Sequence, residues 1–283
     1  MNYTTRFAPS PTGPLHLGHA YSALLSFNRA KKKEGAFLLR IEDIDQSRAR
    51  AGWEATIYED LNWLGVSWVN PILRQSNNLK NYTKAISQLW NLGLLYKCDC
   101  SRRDITEAVQ APQEGYPLQG PDGVIYPGTC RNKHPRQGSV PPIANLRLDL
   151  KKALDWIDDP LYYEETGQAF GTVTIGNTQS INTIGDIVIA RRDMGTSYHL
   201  SVVVDDAAQN ITEVIRGEDL ADATRIHVIL QALLNLKTPV YHHHHLIRDA
   251  TGKRLAKRDD ARSIATYRVK GATPADIKVL IGL

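Results

Sequence analysis

Two histidines near the start of the chain have a spacing that suits phosphate binding. His16 and His19 stand three residues apart, with Gly18 between them, directly after a proline-rich run at positions 9–14. On the first turn of a helix both imidazoles would lie on one face, beside free backbone N–H groups and the positive end of the helix dipole. Each ring could then donate to a phosphate oxygen. The alternative is a pair of surface histidines beside a helix cap.

A second basic element lies near the end of the sequence. Gly252 is followed by four cations in six positions, at 253–258, one of which is Lys257. A run of this kind is usually a solvated loop. It becomes a candidate for phosphate binding only in combination with the two histidines.

The three cysteines have a spacing that indicates a metal site. Cys98, Cys100 and Cys130 are an odd number, which fits a metal site in a reducing compartment better than a disulfide framework. A closed structural zinc site needs four ligands, and His134, four residues after Cys130, is chemically the common partner of thiolates. The alternative is three small buried residues without a metal.

Four consecutive histidines at 242–245 form a further run. Successive side chains of a strand point to opposite faces, so the four rings cannot all bind one ion. We interpret this run as incidental to function.

Regular elements must position these residues, and the first part of the chain predicts a β-α-β unit. The pattern predicts a strand over residues 3–8, a helix from 17 to about 34 and a mostly apolar strand over 36–42. A strand that follows a helix in this way favours parallel pairing. Two further helices are predicted at about 50–64 and 79–92, each ending at a glycine.

The middle of the chain differs in composition and predicts an inserted subdomain. Prolines and glycines become frequent within 96–184, and residues 145–150 alternate as in an antiparallel strand. Short buried-strand patterns return at 185–190 and 211–216, and a helix follows over 222–236. We therefore predict an α/β fold with a parallel sheet that is split by an α+β insertion. The predicted boundaries are 1–95 and 185–245 for the two halves of the catalytic domain, 96–184 for the insertion, and 246–283 for the basic loop and a short C-terminal region.

Composition sets wide limits on function. With 42% hydrophobic residues among 283, the chain can bury a core. The sequence has no stretch of about 18 uncharged apolar residues and no signal segment, so we expect a cytoplasmic protein without membrane contact. The net charge of +4 permits binding to a polyanion without demanding it.

One longer string resembles the signature of an enzyme family. Residues 6–19, Arg-Phe-Ala-Pro-Ser-Pro-Thr-Gly-Pro-Leu-His-Leu-Gly-His, resemble the opening signature of the glutamyl- and glutaminyl-tRNA synthetases of class I. Segments 39–45 and 202–219 are similar to the glutamyl branch, and the resemblance covers about residues 3–260. It implies a Rossmann-like parallel sheet with a zinc-containing insertion and a partial stem-contact region at the C-terminus.

The basic loop is similar to the second class I signature, usually written Lys-Met-Ser-Lys-Ser. Arg254 replaces its first lysine and Ala256 its serine, whereas Lys257 stays in register. A hydroxyl that would touch phosphate is therefore missing, and Lys257 is the main cation.

The resemblance implies activation of glutamate by ATP, without tRNA. The α-carboxylate of glutamate attacks the α-phosphorus, pyrophosphate leaves, and glutamyl-adenylate is held for transfer. Positioning and charge stabilisation are the work of the protein in such a step. His16, His19 and Lys257 are the predicted catalytic residues, and with Gly18 they bind ATP together with Mg²⁺.

The resemblance also implies a glutamate pocket with two cations and one anion. Arg6 faces the side-chain carboxylate, Arg216 the α-carboxylate and Glu42 the amino group, as their charges and forked geometry allow. Ser10 and Tyr198 line the pocket. Taken alone, an arginine or glutamate at a strand end is more often part of a surface ion pair.

For the metal site, the resemblance implies a tyrosine ligand. Tyr126, four residues before Cys130, matches the unusual tyrosine ligand of zinc in the family, whereas chemistry favours His134. We expect one structural Zn²⁺ held by Cys98, Cys100, Tyr126 and Cys130.

The length of the chain implies an unusual acceptor. Ordinary glutamyl-tRNA synthetases continue past the basic loop into a helical anticodon-binding region, whereas this sequence stops at Leu283. Together with the cysteine pattern, this resembles truncated paralogues that glutamylate the queuosine base in the anticodon of tRNA(Asp). We expect a monomer whose partners are L-glutamate and queuosine-containing tRNA(Asp). The alternatives are a catalytic fragment of an ordinary synthetase and a non-catalytic paralogue that binds tRNA or glutamate.

Overall fold

A computed structural model of the chain describes residues 3–110, 119–248 and 262–283. The basic loop at 253–258, with the predicted phosphate-binding Lys257, lies outside these ranges. None of the helices in the described ranges is long and apolar enough to cross a membrane.

The chain begins with the predicted β-α-β unit. Strand β1 spans Thr4–Phe7, helix α1 spans Leu17–Lys32, and strand β2 spans Ala36–Ile41. The two strands are parallel, with Thr4 opposite Ala36. Strand β3 (Val69–Arg74) pairs in parallel with the other edge of β2.

The two helices predicted next are confirmed to within a residue at each end. Helix α2 spans Ala51–Trp63 and helix α3 spans Leu79–Asn91. Gly65 and Gly93 follow them with φ of 77° and 67°, a left-handed conformation that costs glycine little.

The middle of the chain forms an antiparallel sheet with short helices around it. Strand β7 (Leu146–Leu148) lies between β4 (Leu95–Lys97) and β10 (Val188–Ala190), antiparallel to both, as the alternating pattern at 145–150 predicts. The elements of this part, in chain order, are β4 (Leu95–Lys97), α4 (Arg102–Gln110), β5 (Gln119–Gly120), β6 (Gly123–Val124), β7 (Leu146–Leu148), α5 (Leu150–Trp156), β8 (Leu161–Glu165), β9 (Gly171–Ile175), α6 (Asn177–Ile184) and β10 (Val188–Ala190).

The second half of the parallel sheet follows. Its elements are α7 (Tyr198–Ala208), β11 (Glu213–Gly217), α8 (Ala223–Leu233) and β12 (Val240–His244). Strand β12 is parallel to both β11 and β8. The backbone N–H of Thr212 donates to the carbonyl of Thr4 at 2.9 Å, so β11 lies beside β1 and the two halves of the sheet meet there.

Two strands pair in a different sheet from the one that was predicted from the sequence. Strand β10, within the predicted return of the parallel sheet, pairs with β7, while β8, within the predicted insertion, joins β12. Strands of three to five residues do not specify their partners, so periodicity alone could not assign either strand. The domain boundaries themselves stay a prediction.

Two short helices close the described chain. Helix α9 spans Ile264–Val269 and helix α10 spans Pro274–Ile281. Helix α10 packs against α1, and Ile277 is fully buried in the same core cluster as Leu39 and Ile57. Burying a side chain of this size stabilises the fold by about 1.5–3 kcal/mol.

One carboxylate in this core cluster has a costly environment. Asp60 of α2 is fully buried, and neither of its carboxylate oxygens has a hydrogen-bond partner among the described residues. Arg268 of α9 lies 3.6 Å away. Burial raises the pKa of Asp60 to about 6, although Arg268 opposes the shift.

The raised pKa predicts a pH-dependent penalty. Because the folded pKa of about 6 exceeds the ordinary value of 3.8, the ionised carboxylate costs stability as pH rises through this window, and the full cost is reached above about pH 6. Asp60→Asn should remove this cost. The difference in free energy of unfolding between Asp60→Asn and wild type should grow in favour of the variant by about 1–3 kcal/mol from pH 4 to pH 7, as measured by urea titrations. The exposed Asp155→Asn is the control, and parallel pH curves for Asp60→Asn and wild type would contradict the prediction.

Candidate active site and thiol cluster

A cavity of about 990 Å³ opens at the carboxyl ends of the parallel strands. Ligands of open α/β sheets bind at this edge, where the strand order changes direction. The predicted glutamate- and ATP-binding residues in the described ranges all line this one cavity: Arg6, Ser10, His16, Gly18, His19, Glu42, Tyr198 and Arg216. Loops and helices distant in sequence are thus brought to one place.

The two histidines form the cap of helix α1. The Nδ1 atom of His16 accepts the backbone N–H of Gly18 at 3.1 Å, and that of His19 accepts the backbone N–H of His16 at 3.2 Å. The two rings lie 3.8 Å apart. Since Nδ1 is an acceptor in both, a neutral ring carries its proton on Nε2. Both Nε2 atoms are then donors of the kind that a phosphate oxygen needs.

Gly18 allows this arrangement. A Cβ atom at this position would come within 3.1 Å of the His16 ring, closer than a side chain normally packs. The glycine therefore lets the His16 ring fold over the helix start, and any larger residue would move the ring.

A buried ion network fixes Arg6. Asp206 of α7 accepts from Nε of Arg6 at 3.0 Å and from Nη2 at 3.4 Å, and it also accepts from Arg40 at 2.7 Å. The guanidinium of Arg40 is fully buried and donates to Glu42 at 3.2 Å. Burial raises the pKa of Asp206, but Arg6 and Arg40 more than offset this and hold it below its usual value.

Glu42 has the opposite balance. Burial raises the pKa of this carboxyl, and Arg40 and Arg6 offset only part of the shift. An ammonium group placed beside Glu42 would favour the ionised form. Glu42 is therefore suited to bind a cationic part of a ligand in the cavity.

Arg216 lies at the end of β11, among uncharged acceptors. Its Nε donates to His243 at 3.2 Å, its Nη1 contacts His227 at 3.2 Å, and its Nη2 donates to Thr224 at 2.7 Å. The ring of Tyr198 lies 5.9 Å from that of His227.

The histidine run at 242–245, interpreted as incidental to function, makes specific contacts in the structure, and its functional role stays untested. Three of the four rings have polar partners that differ along β12: His242 contacts Arg29, His243 contacts Arg216, and His244 contacts Ser22 at 2.7 Å. The alternation along the strand is as expected. Because of this alternation, His243 contacts Arg216, which is predicted to bind glutamate, whereas His244 lines the cavity.

The three cysteines form a compact cluster away from the cavity. Their sulfur atoms all lie within 4.8 Å of one another, an arrangement that could hold a metal ion. The hydroxyl of Tyr126 lies 3.4 Å from Cys98 and 3.3 Å from Cys100. His134 instead lies 2.6 Å from Asp99, so the geometry favours Tyr126 over His134 as the fourth group.

An arginine contacts this cluster. Arg147 lies over the ring of Tyr126 at 3.9 Å, and its Nε donates to the sulfur of Cys98 at 3.4 Å. Burial raises the pKa of Cys130, but hydrogen bonds, first from Tyr126, lower it to about 7. Burial raises the pKa of the Cys100 thiol to about 11, so Cys130 is the more readily ionised of these two thiols.

Sequence reasoning missed several residues that hold the cavity together. The sequence patterns assign no role to Asp205 and Asp206, both of which lie in α7. Arg40 received no role. One feature of the sequence could have indicated them: two aspartates directly follow three valines. A helix that buries the valines also buries these acids, and buried acids need partners.

Comparison with known proteins identifies relatives of the chain. Residues 2–280 match the family described as tRNA synthetases class I (E and Q), catalytic domain. The Glutamyl-Q tRNA(Asp) synthetase of Rhodobacter capsulatus is 58% identical over 281 residues, which cover 99% of both chains. A protein of the same name from Prochlorococcus marinus is 35% identical, over 98% of this chain and 80% of its own.

A solved structure has a similar fold. The glutamate tRNA ligase of Elizabethkingia meningosepticum, in complex with its amino acid, superposes with a TM-score of 0.75 and 26% identity. The match covers 99% of this chain, which spans 60% of the length of that ligase.

The ion network around Asp206 predicts a strong effect of an isosteric change. Asp206→Asn would leave Arg6 and Arg40 without their shared carboxylate in a buried site, which typically costs about 3–5 kcal/mol. We expect the free energy of unfolding to fall by about 3 kcal/mol in urea titrations. The matched control is Asp155→Asn, which removes an exposed partner of Lys151 and should change stability by less than about 0.5 kcal/mol. Equal losses in the two variants would refute the role of the network.

Proposed function

The chain belongs to the family of class I tRNA synthetases (E and Q), as an enzyme of the ligase class, and from this premise we propose its reaction. Glutamate is activated with ATP to glutamyl-adenylate before tRNA binds, and the glutamyl group then passes to the queuosine base of tRNA(Asp). The observation that carries the proposal is the single cavity that brings together two arginines, one glutamate and two histidines of the family signatures. The 58% identity to a Glutamyl-Q tRNA(Asp) synthetase supports the acceptor.

The charges of the cavity are complementary to free glutamate. The substrate carries two carboxylates and one ammonium, and the cavity offers Arg6, Arg216 and Glu42. Arg6 binds the side-chain carboxylate, Arg216 the α-carboxylate and Glu42 the ammonium. Ser10 and Tyr198, which also line the cavity, border the pocket. Arginine suits both carboxylate sites because its planar fork can donate two parallel hydrogen bonds.

Activation requires little covalent chemistry from the protein. An oxygen of the α-carboxylate forms a bond to the α-phosphorus of ATP as the bond to the pyrophosphate oxygen breaks. The Nε2–H groups of His16 and His19 stabilise the charge on the phosphate oxygens, beside the helix start with Gly18. Lys257, which lies outside the described residues, contributes a further cation. Mg²⁺ bound with ATP neutralises part of the phosphate charge.

The thiol cluster holds one structural Zn²⁺ in this proposal. Three thiolates and a tyrosine oxygen would supply the four ligands of a structural zinc ion: Cys98, Cys100, Tyr126 and Cys130. Their mutual approach and the neighbouring charge of Arg147 support a closed site without an open position for substrate. The ion would hold the insertion together and would take no part in the reaction.

The remaining expectations follow from the substrates. ATP, glutamate and tRNA are substrates found in the cytoplasm, where we place the protein. We expect it to act as a monomer on tRNA(Asp).

The choice between two zinc ligands gives a direct test. Tyr126→Phe should weaken zinc binding by at least about tenfold in chelator competition, because a ligand is lost without a change of ring size. His134→Ala is the matched control and should keep an affinity within about twofold of wild type, with about one zinc per chain. The opposite ranking would assign the site to His134, and a folded wild type without zinc would remove the metal from the account.

The acceptor can be tested with shortened tRNA. We predict that [¹⁴C]glutamate is transferred to queuosine-containing tRNA(Asp) from which the terminal adenosine has been removed, because the glutamyl ester forms on the base. Transfer should fail with tRNA(Asp) that lacks queuosine and with glutamate tRNA.

His19→Ala should lower adenylate formation by about 10²-fold, the scale for loss of one charge-stabilising donor.

Other outcomes would identify the alternatives. Charging of glutamate tRNA that is lost with its terminal adenosine would indicate an ordinary glutamyl-tRNA synthetase. Binding of tRNA without any ATP–pyrophosphate exchange in the presence of glutamate would indicate a non-catalytic paralogue.

A further inference from the structure

Arg216 is surrounded by a set of buried histidines that the proposed reaction does not use. Its Nε donates to Nε2 of His243 at 3.2 Å, and its Nη1 lies 3.2 Å from Nδ1 of His227. The Nε2 atom of His227 in turn lies 3.1 Å from Nδ1 of His199. All three rings are at most 5% exposed. Buried imidazoles in contact with a guanidinium require an explanation, because a protonated imidazole would be repelled by the positive charge of the arginine.

The chemistry of arginine fixes the direction of every hydrogen bond in this set. A guanidinium only donates, so Nε2 of His243 and Nδ1 of His227 must both accept. His227 then carries its proton on Nε2 and donates to His199. His199 carries its proton on Nε2 as well and donates to Asp122 at 3.2 Å. The three rings are therefore neutral, each with one defined tautomer.

Each branch ends on a carboxylate. Nδ1 of His243 donates to Glu165 of β8, which also accepts the backbone N–H groups of His243 at 3.0 Å and Gly167 at 2.6 Å. A Cβ atom at Gly167 would approach the carbonyl of His243 to 2.2 Å, so only glycine permits this contact. The other branch ends on Asp122, in the turn between β5 and β6. Arg216 is thus held between two anchors that it does not touch.

The histidines separate the positive charge of Arg216 from these carboxylates. No carboxylate among the described residues forms an ion pair with Arg216, whereas Asp206 forms a two-point ion pair with Arg6. A direct carboxylate would neutralise the arginine and compete with an anionic ligand. Neutral imidazoles fix the guanidinium and leave its charge in place for that ligand.

We propose that His227, His243 and His199 are positioning residues that hold Arg216 for the α-carboxylate of the amino acid, with Asp122 as an anchor supplied by the insertion. The inference rests on the proposed binding of glutamate in this cavity. Burial, and next the charge of Arg216, lower the pKa of His227 well below its usual value, which agrees with a neutral ring. Asp122 lies four residues before Tyr126, so the segment that contacts the thiol cluster also reaches the amino-acid pocket.

The test compares two ligands that differ only in the α-carboxylate. L-glutamate has the group, and 4-aminobutyrate keeps the amino group and the distal carboxylate but lacks it. We expect His227→Leu to raise the Kd of L-glutamate, measured by calorimetry on the full chain, by about tenfold or more, the scale of a lost hydrogen bond to a charged group. The Kd of 4-aminobutyrate should change by less than about twofold. His227→Asn, whose Oδ1 can accept where Nδ1 did, should restore the glutamate Kd to within about threefold of wild type.

Controls separate this inference from the proposed function. His242→Asn changes a half-buried histidine on the opposite face of β12 and should alter neither Kd. Arg216→Ala should raise the Kd of glutamate at least as much as His227→Leu. If Arg216→Ala binds glutamate as wild type does, the assignment of Arg216 in the proposed function fails. If Arg216→Ala loses glutamate selectively while His227→Leu does not, or if His227→Leu weakens both ligands equally, the positioning role of the histidines is overturned.

Discussion

The whole cavity depends on one carboxylate shared between two buried arginines. Asp206 of α7 contacts Arg6 of β1 and Arg40 of β2, which lie 200 and 166 residues before it in the sequence. Burying three charges is costly unless each has partners of good geometry, so this network forms only when both halves of the sheet have met. The interaction therefore links closure of the split sheet to assembly of the cavity.

The two arginines proposed to bind the carboxylates of glutamate are held in different ways. Arg6 is paired directly with Asp206, so a ligand carboxylate would share a cation that already has an anion. Arg216 is held by neutral rings and keeps its full charge. Between them, Glu42 has a raised pKa because of burial, and a ligand ammonium would offset that cost. These charges support the proposal that the cavity binds a molecule with two carboxylates and one amine.

Much of this could be predicted from the sequence where local pattern and chemistry agree. The β-α-β unit, the helices α2 and α3 and the histidine cap follow from periodicity, glycine placement and helix-end geometry. The position of Tyr126 by the cysteines required the resemblance to a family, since chemistry alone favoured His134. Local patterns predict local structure, and family resemblance adds long-range contacts that periodicity lacks.

The parts that could not be predicted depend on tertiary contacts. The sequences of the short strands β8 and β10 do not reveal their partners, β12 and β7, because those partners lie tens of residues away. Asp206 shows no sign of its two partners in its own neighbourhood, and His243 is hidden in a run of identical residues. For each of them the decisive contact is formed by an element elsewhere in the chain.

The most direct test of the account is a crystal structure of the protein with a non-hydrolysable sulfamoyl analogue of glutamyl-adenylate. The account predicts the side-chain carboxylate of the ligand at Arg6, its amino group at Glu42 and its carbonyl next to Arg216. The adenylate moiety should lie against His16 and His19 at the start of α1. A ligand bound in the reverse orientation, or outside this cavity, would contradict the account.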